Sequence, residues 1–261
     1  LAAGLVAATT GVAGAGEDLC LDGPRETVWA AAAESGDEIL LTDGRRVRLA
    51  GVEVPPPSLA DRSPAARAEA GRIATAARSA LADRVEGRES ALLDLGEDRW
   101  GRRLGHLVDT ESGHWVEGDL VAEGHLRVVP SRDDPVCVAA LLAREKPARA
   151  ERRGLWATAV GEVRPADRSL VARVGDVVVA EGTVRSVGRS RGRTWLNFGD
   201  DIVRDFAVVM NDNDRVRFER AGLAPDRLKG VRIRVRGLVS RRGEAPRMSV
   251  DDPTAIEPVE R

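Results

Sequence analysis

The chain has 261 residues, of which 43% are hydrophobic, and 40 Lys and Arg nearly balance 42 Asp and Glu. This composition excludes a disordered chain and a membrane-embedded protein, and the near-neutral charge excludes a uniform polycation that binds nucleic acid without specificity. The length accommodates two domains, since single domains cluster near about 100 to 150 residues. With no Tyr, three Phe and five Trp, the chain offers few rings for stacking.

The first fifteen residues are small or apolar, carry no charge, and end in Ala13-Gly14-Ala15. This ending is typical of a signal-peptidase site, so we expect residues 1–15 to be the remnant of a signal peptide on an exported, periplasmic or secreted bacterial protein. The alternative is an unstructured terminus rich in Ala and Gly. The stretch is shorter than the roughly 20 residues of a membrane span, and we expect no stable membrane association.

Cys20 and Cys137 are the two cysteines. In an oxidising compartment they are candidates for a disulfide that ties the N-terminal arm to the body of the protein. In the cytosol they would be two buried free thiols. Their spacing, with no histidine nearby, does not indicate a zinc site.

The pattern from Asp37 onward predicts β structure, with Asp43-Gly44 as a hairpin turn between residues 39–41 and 46–49. Ser63-Pro64 is typical of a helix start, and the Ala-rich stretch after it predicts a helix to about residue 83. Two more strands are expected at 88–93 and 104–108, on either side of a turn at 97–102.

The next segment predicts a short helix at 115–123 that stops at Gly124, and a longer helix from Asp134-Pro135 to about residue 152 that Pro147 is expected to kink. Residues 158–170 show neither helical nor strand period and are expected to link a domain at 20–157 to one at 171–261.

The second part of the chain predicts five strands with a helix before the fourth, which suggests a smaller OB-like β-barrel. The strands are expected at 177–187, 194–198, 205–210, 231–239 and from 247, and the helix at 214–221. Residues 171–250 hold 17 basic against 10 acidic side chains, whereas residues 1–170 hold 22 against 28. The near-neutral total therefore combines an acidic first part with a basic second part.

Strand alternation in the second part predicts a basic face that carries a ring. Arg191, Arg193 and Trp195 share one side of their strand, and residues 232, 234 and 236, all Arg, share one side of theirs. Cations for phosphates and a ring for bases are what single-stranded DNA or RNA requires. The alternative is a solvated barrel exterior.

Two carboxylates and two arginines in the first part form a candidate catalytic group. Asp37 and Glu53 lie at the edges of one predicted hairpin, where hard oxygen ligands can converge on Ca²⁺. Arg48 and Arg102 can clamp a phosphate with forked donors and stabilise charge that develops on it. Spacing alone favours the alternative, a charged surface hairpin held by salt bridges.

Five motifs, in order, resemble those of the staphylococcal nuclease (thermonuclease) family over residues 28–157. They are Gly36-Asp37 at a strand start, Arg48-Leu49-Ala50-Gly51-Val52-Glu53-Val54-Pro55, the turn Asp98-Arg99-Trp100-Gly101-Arg102, Val121-Ala122-Glu123-Gly124 at a helix end, and Arg153-Gly154-Leu155-Trp156. The resemblance implies a mainly β protein with helices, built on a five-stranded OB-like barrel, that hydrolyses DNA and RNA phosphodiesters with Ca²⁺.

The resemblance also implies roles for individual residues. Asp37, Glu53 and the Val54 carbonyl match the ligands of one Ca²⁺ ion. Arg48 and Arg102 match the arginines that hold the scissile phosphate. Nucleic-acid contacts are expected from the phosphate-binding turn, at Arg99 and Trp100. None of the three histidines, His106, His114 and His125, matches a family role.

Pro56 departs from the family, which places its general-base Glu directly after Pro55. A proline side chain cannot accept a proton, and a general base contributes about 10²- to 10⁴-fold, so the sequence predicts a slow nuclease. Glu53 or Asp61 could serve as the base instead. The first alternative is an inactive nuclease-fold protein that binds or scaffolds nucleic acid, and the second is a Ca²⁺-stabilised envelope protein unrelated to nucleic acid. No obligatory protein partner is predicted.

Overall fold

The computed structural model describes residues 19–259. Its first unit, residues 26–157, is built on a closed five-stranded barrel with the strand order β1-β2-β3-β6-β5. The five strands are β1 (Glu26–Ala33), β2 (Glu38–Leu41), β3 (Arg46–Leu49), β5 (Glu89–Glu97) and β6 (Arg103–Asp109). Neighbours are antiparallel except for β3 and β6, which run parallel. A separate two-stranded sheet pairs β4 (Val52–Glu53) with β7 (Arg127–Val128).

Three helices pack around this barrel: α1 (Pro64–Val85), α2 (Val116–Ala122) and α3 (Pro135–Ala150). The start of α1 is fixed locally, because the Ser63 hydroxyl accepts a hydrogen bond from the Ala66 amide and Pro64 occupies the first turn. All three predicted helices are confirmed to within about two residues at each end. Pro147 lies inside α3, three residues before its end.

Two glycines bring distant segments of the first unit into backbone contact. A Cβ on Gly124 would lie 2.3 Å from the Arg153 carbonyl oxygen, and one on Gly154 would lie 2.3 Å from the Gly124 oxygen. Both glycines have positive φ, 79° and 51°, and the Leu155 amide donates to the Gly124 carbonyl at 2.8 Å. Any larger residue at either position would force the two backbones apart.

A disulfide joins Cys20 to Cys137, across 117 residues of sequence, as predicted. It ties the segment before β1 to α3, and both cysteines are buried. The expected signal peptide, residues 1–15, lies outside the described residues. Within residues 19–259, we find no helix with the length and hydropathy needed to cross a bilayer.

His106 is fully buried beside this disulfide and bridges two carboxylates. Its Nδ1 bonds to Glu117 and its Nε2 bonds to Asp134 at 2.8 Å. Burial alone would lower the pKa of His106, but the hydrogen bonds and charges of Asp134 and Glu117 outweigh burial and raise the pKa to about 9. The group is therefore an imidazolium with both N–H donors satisfied, and its contacts are structural.

The second unit, residues 164–258, is an eight-stranded sheet with the order β10-β11-β12-β14-β13-β9-β8, and β15 also pairs with β13. The strands are β8 (Arg164–Pro165), β9 (Val177–Thr183), β10 (Ser186–Ser190), β11 (Arg193–Asn197), β12 (Ala207–Asn211), β13 (Arg232–Arg242), β14 (Ala245–Ser249) and β15 (Ile256–Pro258), and the helix α4 (Arg215–Arg220) precedes β13. The strands predicted at 194–198, 205–210 and 231–239 and the helix predicted at 214–221 appear within about three residues of their expected ends. The segment predicted as one strand at 177–187 is divided between β9 and β10, and β8 and β15 were not predicted.

The second sheet repeats the strand order of the first barrel. Strands β9 and β10 are separated only by residues 184 and 185, so a single bent segment contributes both ends of the path β10-β11-β12-β14-β13-β9. The parallel pair, β12 with β14, occupies the position that β3 with β6 has in the first unit. The two sheets therefore share one strand order.

The segment predicted as a linker is partly built into the second unit. Strand β8 pairs in parallel with β9, and Leu170 is 1% exposed in the core of that unit. A strand of two residues followed by a 3-10 turn is too short to show a period in the sequence.

The basic face expected on β13 is not free. Arg232 and Arg234 both pair with Glu181. Arg236 is 3% exposed and donates to the Glu145 carboxylate of α3 at 2.7 and 3.0 Å, so its placement on a solvent face was wrong. Alternation identified the outer face of the strand, but α3 of the first unit covers it at this point.

Candidate functional site

A cleft of about 930 Å³ opens on the first barrel, between the β2–β3 hairpin and the turn that joins β5 to β6. Arginines dominate its lining: Arg45, Arg46, Arg48, Arg102 and Arg103. Glu38 and Glu97 are its two acidic residues, and Trp100 forms part of the wall. Because five guanidinium groups line this cleft, its positive charge favours an anionic ligand.

Asp98 fixes the turn that carries Trp100 and Arg102. Its carboxylate accepts from the backbone amides of Trp100 at 2.8 Å and Arg102 at 3.1 Å. Gly101 supplies the positive φ of 77° that closes the turn. Burial raises the pKa of the Asp98 carboxyl, but the hydrogen bonds from Arg102 and the turn outweigh it and lower the pKa below its usual range. The carboxylate is therefore a constant partner for Arg102.

Arg102 is oriented by two carboxylates at once. Its Nε donates to Asp98 at 2.8 Å and its Nη1 donates to Glu38 at 2.6 Å. The Trp100 ring covers the guanidinium, with the ring centroid 5.0 Å from its central carbon, and Arg99 stacks on the same ring at 4.4 Å. Trp100 itself is 66% exposed. Trp100 thus lines the cleft, whereas Arg99 stacks on its ring without being part of the cleft lining.

Arg48 enters the same cleft from β3, and Asp37 lies directly behind it. Arg48 lies opposite Leu104 of β6, and Arg102 lies in the turn just before that strand, so both arginines line the cleft. Its Nη2 is 3.3 Å from the Asp37 carboxylate. Asp37 is only 8% exposed and also accepts from the Ser35 hydroxyl at 2.7 Å.

The Glu53 carboxylate is engaged by a different arginine. On the β4–β7 pair, Glu53 lies opposite Arg127, whose Nε and Nη2 both donate to the same Glu53 oxygen. Arg127 is 3% exposed, and its Nη1 donates to the Val177 carbonyl of the second unit at 2.9 Å. Arg127 gave no signal in the sequence, because its role depends on a pairing across 74 residues.

The residues expected to hold a cation are brought together only in part. The Val54 amide donates to the Asp37 carboxylate at 3.4 Å, which places residue 54 beside Asp37, whereas the Glu53 carboxylate is bound by Arg127. Carboxylate and carbonyl oxygens are the donors that Ca²⁺ prefers, so the donor set fits such an ion, although each carboxylate now faces an arginine. Among residues 19–259, the group of three acidic, His or Cys side chains close enough to share an ion is Cys20, His106 and Cys137, and its sulfurs are joined in the disulfide.

The two replacement bases are both occupied. Glu53 is held by Arg127, as described. Asp61 is exposed and accepts from the Ser63 amide at 3.0 Å, and this backbone hydrogen bond lowers the pKa of Asp61 below its ordinary value. A lowered pKa makes a carboxylate a weaker base. Pro56 lies between them, in a run of three prolines.

A second pocket, of about 420 Å³, lies on the second unit around Trp195. Arg242 and Arg247 stand 5.6 and 5.7 Å from the Trp195 ring, and sequence reasoning missed both because they come from strands β13 and β14. The predicted partners Arg191 and Arg193 lie outside the pocket lining. Arg191 instead occupies the tip of the β10–β11 hairpin, where its positive φ of 53° and that of Gly192 suit a two-residue turn.

A closed five-stranded barrel with flanking helices, a cleft of arginines and a buried carboxylate beside them defines an OB-like barrel suited to binding phosphate. Residues 46–158 match the model of the family described as staphylococcal nuclease homologue. That part of the chain is therefore similar to the staphylococcal nuclease family, in agreement with the four motifs that lie within it. The second unit lies outside the match. No curated protein matches the chain.

Proposed function

We propose that the protein is a metal-dependent nuclease that hydrolyses phosphodiester bonds of DNA or RNA. The observation that carries the proposal is that Arg48, on β3, and Arg102, in the turn just before β6, line one cleft next to Asp37. Forked donors on two sides of a phosphate hold it in place and stabilise the negative charge that develops as water attacks.

One Ca²⁺ ion would be held by Asp37, Glu53 and the Val54 carbonyl, and when bound it would polarise the phosphate and lower the pKa of a bound water. The arginines of the chain would hold the phosphate and stabilise its developing charge. Arg102 is preset by Asp98 and Glu38, so it reaches the phosphate without a large loss of side-chain freedom. Trp100 can stack on a base next to the scissile bond.

The proposed nuclease is slow. With Pro56 in the base position and both Glu53 and Asp61 occupied, attack by water lacks a well-placed proton acceptor, at an expected loss of about 10²- to 10⁴-fold. An alternative function, an inactive nuclease fold that binds nucleic acid, is favoured by the same residues.

The test is cleavage of plasmid DNA and of RNA with Ca²⁺ and with a chelator. We expect cleavage that needs the metal and that falls by about 10²-fold or more in Arg102→Ala. Arg88→Ala is the matched control, since Arg88 is an exposed arginine of the first unit that faces Asp109 and lies outside the cleft. Cleavage that persists in the chelator, or in Arg102→Ala, would end the proposal.

Pro56→Glu separates the two candidate functions. A rise in a measurable wild-type rate supports the slow nuclease. Activity that appears only in Pro56→Glu supports the inactive binding protein, and Pro57→Glu, one residue away in the same proline run, controls for loss of rigidity.

The second unit is proposed to hold single-stranded nucleic acid through Trp195, with Arg242 and Arg247 as added cations and with Arg191 and Arg193 at its margin. Export to the periplasm or outside the cell is also proposed, and the Cys20–Cys137 disulfide supports it, because such bonds persist in oxidising compartments.

A further inference from the structure

The proline segment, residues 54–60, connects β4 to the start of α1 and contains neither helix nor strand. It follows Glu53 directly and carries Pro56, the position of the family's base. Within the first unit its start is held, because the Val54 amide donates to Asp37, the Val54 side chain packs against the barrel core, and Pro55 is buried.

Asp176 of the second unit holds the far end of this segment. Its carboxylate accepts from the Ser58 hydroxyl at 2.7 Å, from the Leu59 amide at 2.7 Å and from the Ala60 amide at 3.3 Å. Asp176 is 7% exposed and is paired with Arg173 at 2.8 Å. Three donors from a loop on one buried carboxylate form a strong, directional anchor.

Asp176 is itself rigidly placed. Its carbonyl accepts from the Val239 amide of β13, and the amide of the preceding Gly175 donates to the Val239 carbonyl, both at 2.9 Å. The anchor is therefore attached to the sheet of the second unit.

The next residue along the chain holds the near end. The Val177 carbonyl accepts from Arg127, whose other nitrogens bind Glu53. Two consecutive residues of the second unit thus restrain Glu53 at one end of the proline segment and Ser58 to Ala60 at the other.

We propose that Asp176 is a positioning residue for the nuclease site, so that the second unit fixes the proline segment and thereby sets the rate of cleavage. This proposal rests on the proposed function. It assigns the second unit a role in the chemistry that is separate from any binding of nucleic acid at Trp195.

The test compares wild type, Asp176→Ala and Asp176→Asn by hydrogen exchange and by cleavage kinetics. We expect the Leu59 and Ala60 amides to exchange roughly tenfold or more faster in Asp176→Ala, because each loses a charged acceptor. The kcat should fall by roughly tenfold to a hundredfold with KM little changed, since displacement of a site segment lowers the rate without removing substrate contacts. Asp176→Asn keeps one acceptor oxygen and should be intermediate in both.

Asp214→Ala is the matched control, because Asp214 also lies in the second unit and also pairs with an arginine three residues away, Arg217. It should behave as wild type. Should Asp176→Ala fail to fold, Ser58→Ala removes one of the same bonds from the other side.

Unchanged exchange at Leu59 and Ala60 in Asp176→Ala would overturn the proposal, and so would faster exchange with an unchanged kcat. A wild-type chain that cleaves nothing would end the proposed function instead. The exchange measurement would then decide by itself whether Asp176 holds the segment.

Discussion

Replacement of Arg236 by Met tests whether the buried ion network joins the two units. The Arg236 guanidinium lies between Glu145 of α3 and Glu257 of β15, at 2.7 and 2.6 Å, and it also donates to the Val128 carbonyl at 3.0 Å. Glu145 is 0% exposed. Arg149 donates to both carboxylates, so the network holds two arginines and two glutamates.

Without Arg236, two carboxylates would share one arginine in a site with little access to water. Removal of one partner from a buried ion pair typically costs about 3 to 5 kcal/mol. The Met side chain is unbranched, like the aliphatic part of Arg, and retains much of the packing. The loss in the free energy of unfolding therefore reflects removal of the guanidinium charge. We therefore expect the free energy of unfolding to fall by about 3 to 5 kcal/mol.

The assay is urea unfolding followed by tryptophan fluorescence, since Trp115 and Trp156 report on the first unit and Trp195 on the second. Arg232→Met is the control, because Arg232 pairs with Glu181 while largely exposed, and an exposed pair contributes about 0 to 1 kcal/mol. A loss below about 1 kcal/mol in Arg236→Met would show that Arg236 does not stabilise the buried carboxylates.

Three other predictions concern the core and the second unit. The pKa of His106 is raised to about 9, so the charged imidazolium stabilises the fold fully below about pH 6.5, the ordinary pKa of histidine, and this stabilisation is lost as the pH rises through 9. The difference in Tm between wild type and His106→Gln should therefore narrow over that pH range. A constant difference would contradict the prediction. Reduction of the Cys20–Cys137 disulfide, which spans 117 residues, should lower the free energy of unfolding in urea by about 5 kcal/mol, whereas a change under about 1 kcal/mol would not fit. Trp195→Ala should weaken binding of a single-stranded oligonucleotide by about 1 to 3 kcal/mol, measured by fluorescence anisotropy. Trp29→Ala is the control, because Trp29 is an exposed tryptophan of β1. Equal affinities of the two variants would exclude the Trp195 pocket as the binding site.

Part of the fold was predictable because its signals are local. Alternation along residues 46–49, the Asp-Gly turn at 43–44 and the cap at Ser63-Pro64 each depend on a few adjacent side chains. The strands and helices built from them appear within about two residues of their predicted ends. The resemblance of five ordered motifs then supplied the topology.

The partners within the site were not predictable, because they join residues far apart in sequence. Arg102 and Glu38 are 64 residues apart, and Glu53 and Arg127 are 74 apart. Alternation placed Arg236 on the outer face of its strand, but it does not reveal that α3 covers that face. Whether an arginine meets water, a phosphate or a carboxylate is decided by tertiary packing.

The contact between Gly124 and Gly154 joins two motifs, residues 121–124 and 153–156, that are separate in the sequence. Each glycine occupies the space that a side chain on the other would need, so a substitution at one position cannot be accommodated by adjusting the other. We infer that these two positions tolerate change only together with a shift of the chain between them. In a library that varies the first unit, folded variants should therefore retain glycine at both positions as a pair.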